Sequence, residues 1–96
     1  MGSKEAYREK LEAQIREWSA KIDLLKARAD QVEAEAKIEY RNRIEDIRQR
    51  KEALQEKLKE LQNASDAAWK EIKGGTEKAA ADLRDALQSA LAKFKE

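Results

Sequence analysis

The chain has 96 residues, 43% of them charged, yet its 21 basic and 20 acidic side chains leave a net charge of only +1. That length fits a single small domain, and such balance favours ion pairing along helix faces over the concentrated basic patch that nucleic acid requires. Histidine, cysteine and proline are absent, which excludes disulfides, Ser-His and Cys-His nucleophiles, the HExxH zinc helix and Glu-His di-iron sites.

In chain order, Ser3 is an N-cap residue with Glu5 placed to favour the positive end of a helix dipole. No glycine, proline or turn cluster follows until about residue 62, so the pattern predicts one helix over residues 4–62. Its apolar positions are Tyr7, Leu11, Ile15, Trp18, Ile22, Leu25, Ala29, Val32, Ala36, Tyr40, Ile44, Ile47, Leu54, Leu58 and Leu61. Steps of four and three alternate, the heptad spacing that keeps one seam turned toward a partner helix. Two irregularities interrupt it. The steps Ala36 to Tyr40 to Ile44 are both four, the mark of a stutter. Lys51 takes the seam position between Ile47 and Leu54, a polar choice that fixes register at some cost in stability.

The first break is at 63–66, Asn63-Ala64-Ser65-Asp66, where either Asn63 or Ser65 is suited to cap a new helix. The second helix, over residues 66–94, changes period. Trp69, Ala80 and Leu91 are 11 apart, as are Ala68, Ala79 and Ala90, and as are Ile72, Leu83 and Phe94. Such a repeat follows the natural pitch of a helix and predicts a nearly straight arm. Gly74-Gly75 weakens it by about 2 kcal/mol. The pair reads as a hinge or as a place for another helix to approach, and the unbroken apolar phase across it favours a continuous helix.

The stretches KEAYREKLEAQIREWSAKIDLLKARAD, EYRNRIEDIRQRKEALQEKLKEL and DAAWKEIKGGTEKAAADLRDAL resemble a family of small bacterial coiled-coil proteins, over nearly the whole chain. The resemblance implies a stress-associated or uncharacterised cytoplasmic protein, in a family with some magnetosome-associated members. It implies no catalytic residue. Members carry one glycine where this chain has Gly74-Gly75 and a second aromatic near Ala80, departures that imply a looser C-terminal arm.

Two surfaces invite a binding role. Glu52, Glu56 and Glu60 line one helix face, and Asp30, Glu33, Glu35 and Glu39 form a second acidic stretch, chemistry that attracts hard cations or an iron mineral. Neighbouring cations at i,i+4 compete: Glu12 with Arg16, Glu17 with Lys21, Glu33 with Lys37, Glu39 with Arg43 and Asp46 with Arg50 are each placed to pair. The other surface is the C-terminal arm, whose stripe Trp69, Ile72, Leu83, Leu87, Leu91 and Phe94 has flanking lysines, as lipid-surface helices do. However, Lys70, Lys73, Lys78, Arg84, Lys93 and Lys95 are balanced by Asp66, Glu71, Glu77, Asp82, Asp85 and Glu96, which leaves no net pull toward anionic lipid.

The expected fold is therefore all-α, one domain spanning 1–96. A long helix pairs with a shorter antiparallel one, and the hairpins assemble into an elongated coiled-coil or four-helix section. The shorter helix covers only half of the longer one, so the expected interface between copies is the seam Leu11, Ile15, Trp18, Ile22, Leu25, Val32, Tyr40, Ile44, Ile47, Leu54, Leu58 and Leu61, with Trp69, Ile72, Leu83, Leu87 and Leu91 of the return arm. A homodimer or tetramer, with antiparallel packing favoured, follows from the cost of leaving that stripe wet. The expected function is that of a non-enzymatic structural or interaction protein without cofactor, metal or small-molecule substrate. Membrane-surface binding and metal or iron-mineral binding are the alternatives. No run approaches the roughly 20 apolar residues of a membrane span, and the N-terminus lacks a signal peptide's apolar core, so a cytoplasmic location is expected.

Overall fold

Lys26 and Arg28 are followed within a few residues by Asp30, Glu33 and Glu35. Cations suit the carbonyl end of a helix and anions suit its amide end, so this order matches one helix stopping and another starting. In a computed structural model, which describes residues 3–94, the chain does turn here. Helix α1 spans Ser3–Ala29, α2 spans Ala34–Gln62 and α3 spans Asp66–Lys93. Turn bonds from the Asp30 amide to the Lys26 carbonyl (3.2 Å) and from the Gln31 amide to the Arg28 carbonyl (3.0 Å) close α1. Glu33, in extended conformation, precedes α2 without a capping side-chain bond. The capping expected of the Ser3 side chain, and the charges of Lys95 and Glu96, lie outside the described residues.

The expected helix over residues 4–62 is thus two helices, and the two-helix hairpin is a three-helix arrangement. The second turn falls where its side chains placed it. Asn63 closes α2, its side-chain amide donating to the Lys59 carbonyl (3.2 Å), and the Ser65 hydroxyl caps α3 by accepting from the Ala68 amide (3.3 Å). Lys4 at the start of α1 reaches the Ala64 carbonyl (3.1 Å) and Asp66 (3.3 Å). At the far end, Arg28 of α1 and Tyr40 of α2 both donate to the Phe94 carbonyl, each at 3.2 Å. The helices therefore run up, down and up, in a rod 51 × 17 × 17 Å.

With three helices of 27, 29 and 28 residues, no half of the chain is left without cover. Leu11, Ile15, Trp18, Ile22 and Leu25 of α1 are buried against Tyr40, Ile44, Ile47, Leu54, Leu58 and Leu61 of α2 and Leu83, Leu87, Ala90 and Phe94 of α3. Leu54 and Leu83 are 0% exposed. The uncovered stripe expected over the N-terminal half is not there, because α1 folds back along α2, and the reason for self-association through that seam goes with it. Ala36 is exposed, so the apparent stutter at Ala36 and Tyr40 is the junction between two seams. Lys51 bridges α2 to α1, its ammonium donating to the Ser19 hydroxyl (3.3 Å).

Helix α3 is continuous through Gly74 and Gly75, both exposed. A methyl group added at Gly74 meets nothing within 4 Å, and one at Gly75 meets only the Lys57 ammonium at 4.0 Å. Neither glycine makes room for a neighbouring helix of this chain.

Nitroxide labels at the exposed positions 17 and 53 test the first turn. They flank the Ser19–Lys51 contact, and packed helix axes lie about 8–10 Å apart, so the labels are expected within about 25 Å. An unbroken helix would separate them by about 54 Å. Gly74→Ala is expected to raise unfolding stability in urea by about 1 kcal/mol, the helix-interior difference between the two residues. A loss would mean that α3 is not helical there.

Candidate functional site: a cleft between the first and third helices

Helix α2 packs along both of its neighbours, whereas α1 and α3 approach each other less closely. On α3 the wall toward α1 includes Ala80 and Ala81, side chains too small to fill the space that leucine fills elsewhere. What remains is a cleft of about 250 Å³, walled on α1 by Tyr7, Lys10, Leu11, Gln14 and Trp18 and on α3 by Glu77, Ala80, Ala81 and Arg84.

The lower end of the cleft is aromatic. The Tyr7 and Trp69 rings meet edge to face at 5.9 Å and 74°, and the Lys73 ammonium lies 5.0 Å from both centroids. The Tyr7 hydroxyl and Arg8 Nε are buried without a hydrogen-bond partner. Burial, and secondarily the negative charge of Glu77, push the Tyr7 phenol above its ordinary value of 10.0. Arg84 pairs only with its own neighbour Asp85 (3.3 Å), and Lys10 and Glu77 have no ion-pair partner among the described residues.

Sequence reasoning put Tyr7 on the seam. It stands one position off, on the flank of α1 that faces α3. The signal was present: Tyr7 to Leu11 and Leu11 to Ile15 are both steps of four, so counting the heptads back from Ile15 puts Arg8, not Tyr7, on the seam. Of the residues assigned to an interface between copies, Leu11, Ile15, Trp18, Ile22, Leu25, Tyr40, Ile44, Ile47, Leu54, Leu58, Leu61, Leu83 and Leu87 are buried within one chain. Val32, Trp69, Ile72 and Leu91 are half-buried against the same core. The apolar stripe of α3 that resembled a lipid-surface helix faces inward. Only Leu11 and Trp18 of these residues reach the cleft.

The acidic stretches form no shared site: among the described residues, no group of three or more carboxylates is close enough to hold a metal ion. Glu17 pairs with Lys21 (3.8 Å) and Asp46 with Arg50 (3.0 Å) as their spacing predicts, while Glu39 reaches across to Lys93 (3.0 Å). No helix among the described residues is long and apolar enough to cross a membrane. Comparison with family models, curated proteins and solved structures finds no match.

The raised Tyr7 value has a definite consequence. Unfolded tyrosine ionises near its ordinary value while the folded phenol still holds its proton, so this contribution to stability is full below pH 10.0 and falls as pH climbs through the folded value. In a titration followed by tyrosinate absorbance, the late component is expected to vanish in Tyr7→Phe and to move only part-way back in Glu77→Gln, since burial is the larger cause. Because the hydroxyl is unpaired, Tyr7→Phe is expected to leave neutral-pH stability unchanged or slightly higher.

Proposed function

We propose that the chain is a non-enzymatic helical interaction protein that works through its α1–α3 face. The cleft is the observation that supports this reading. Leu11 and Trp18 belong to the core, and with Ala80 and Ala81 they form the wall of an open channel between charged rims, whereas the exposed large apolar side chains, Leu24 and Ile38, do not line it. Sites for small molecules commonly enclose most of their ligand in about 300–1,000 Å³. This cleft is smaller and open along one side, a shape suited to the ridge of another helix rather than to an enclosed substrate. A partner face built from side chains would complete the packing that α3 leaves unfinished. The family resemblance adds a stress-linked setting in a bacterial cytoplasm to this proposal.

A photo-reactive residue placed at Ala81, in cells that express the chain, tests it. An adduct is expected from position 81 and none from position 49, which lies exposed on the outer face of α2. Absence of any adduct from position 81 would remove the support for an interaction face.

A further inference from the structure

The α3 wall of the cleft has an internal symmetry, while the α1 wall adds the cation Lys10. Glu77 and Arg84 both line it and are separated by seven residues of α3, two helical turns, or about 10.5 Å along the axis. Midway between them stand Ala80 and Ala81, the smallest side chains of the wall. Among the described residues Glu77 has no ion-pair partner, and Arg84 pairs with no residue but the adjacent, exposed Asp85 on its own helix. A surface that carries an anion and a cation at equal distances on either side of a small-residue centre is complementary to itself after a half-turn.

We infer that the cleft is closed by a second copy of this chain, packed antiparallel about a two-fold axis through Ala80–Ala81, so that Glu77 of each copy meets Arg84 of the other. This rests on the α1–α3 face being the interaction surface, and it names the occupant. A two-fold contact uses one patch twice, which requires self-complementarity of this kind. The alanines let two α3 helices approach closely, and antiparallel helices also set opposite dipole ends side by side. Area allows it. A standard interface takes about 800 Å² from each partner, and one long face of a rod 51 Å by 17 Å can supply that. The contact differs from the seam association expected of a long helix, since it leaves the bundle core intact.

The full chain and three variants, each confirmed as folded by circular dichroism, test the inference by sedimentation equilibrium up to about 1 mM. Wild type is expected to show a reversible monomer–dimer equilibrium. Glu77→Arg and Arg84→Glu each set like charges together twice in a homodimer and are expected to associate at least about tenfold more weakly. Equimolar mixing of the two single variants pairs Arg with Glu at both contacts, and a heterodimer is expected at concentrations where each alone is monomeric. The double exchange is expected to restore self-association. Monomeric wild type throughout the range, single variants that associate like wild type, or a mixture that stays monomeric would each overturn the inference. An adduct from position 81 of a mass other than a dimer, beside a monomeric wild type, would defeat the second copy as occupant and leave the interaction face standing. No adduct at all would count against both.

Discussion

The reversal between Ala29 and Ala34 is the constraint on which the rest depends. It divides the chain into three helices of nearly equal length, and equal length is what lets each apolar stripe run beside the other two along its whole extent. A helix with one apolar face has little stability alone, because most of its stabilisation comes from packing. At roughly 25 cal/mol per Å², the large side chains of α1 outweigh any cost of breaking a helix at a few alanines and charged residues. The turn sequence therefore does not need a strong breaker. It needs only to be the cheapest place to bend, and opposite charges on its two sides make it so.

The polar contacts at the two ends have a different role. Lys4 with Ala64 and Asp66 ties α1 to the second turn, while Arg28 and Tyr40 share the Phe94 carbonyl and the Tyr40 and Phe94 rings stack at 3.8 Å. Exposed ion pairs such as Lys93 with Glu39 contribute about 0.2–1 kcal/mol each, far less than the core. Their value lies in selecting one arrangement, since each joins helices distant in sequence at one particular end. Lys51 acts similarly at mid-height, where its bond to Ser19 favours this register of α1 against α2.

Much of this was legible from residue order, and the failures have physical causes. The turn at residues 63–65 could be read because Asn and Ser satisfy helix ends with their own side chains, and both do so here. The 11-residue phase of α3 was legible for the same kind of reason, since Leu83, Ala90 and Phe94 fall on buried positions. The turn at residues 30–33 was missed because it uses no capping side chain and no glycine. Its signal is the order of charges, Lys26 and Arg28 before Glu33 and Glu35, which a search for breakers passes over. Missing it turned an internal core into an expected interface between copies. The cleft was not legible at all: Ala80 and Ala81 look like ordinary helix formers until the spacing of α1 and α3 shows that they leave room.

The glycine pair has one further consequence, for how the rod opens. Immediately beyond Gly75, Thr76 is 0% exposed and its hydroxyl donates to the Ile72 carbonyl at 2.8 Å, an extra bond that spans the weak point from the buried side. The N-terminal third of α3 is held to the bundle by half-buried Trp69 and Ile72, buried Thr76 and the Lys4–Asp66 pair at its start, while the stretch from Leu83 to Phe94 is held by four buried side chains. Local opening follows such differences in burial. Amide protons of residues 68–75 should thus exchange with solvent through partial undocking of that segment, while those near Leu87 wait for the whole bundle to come apart.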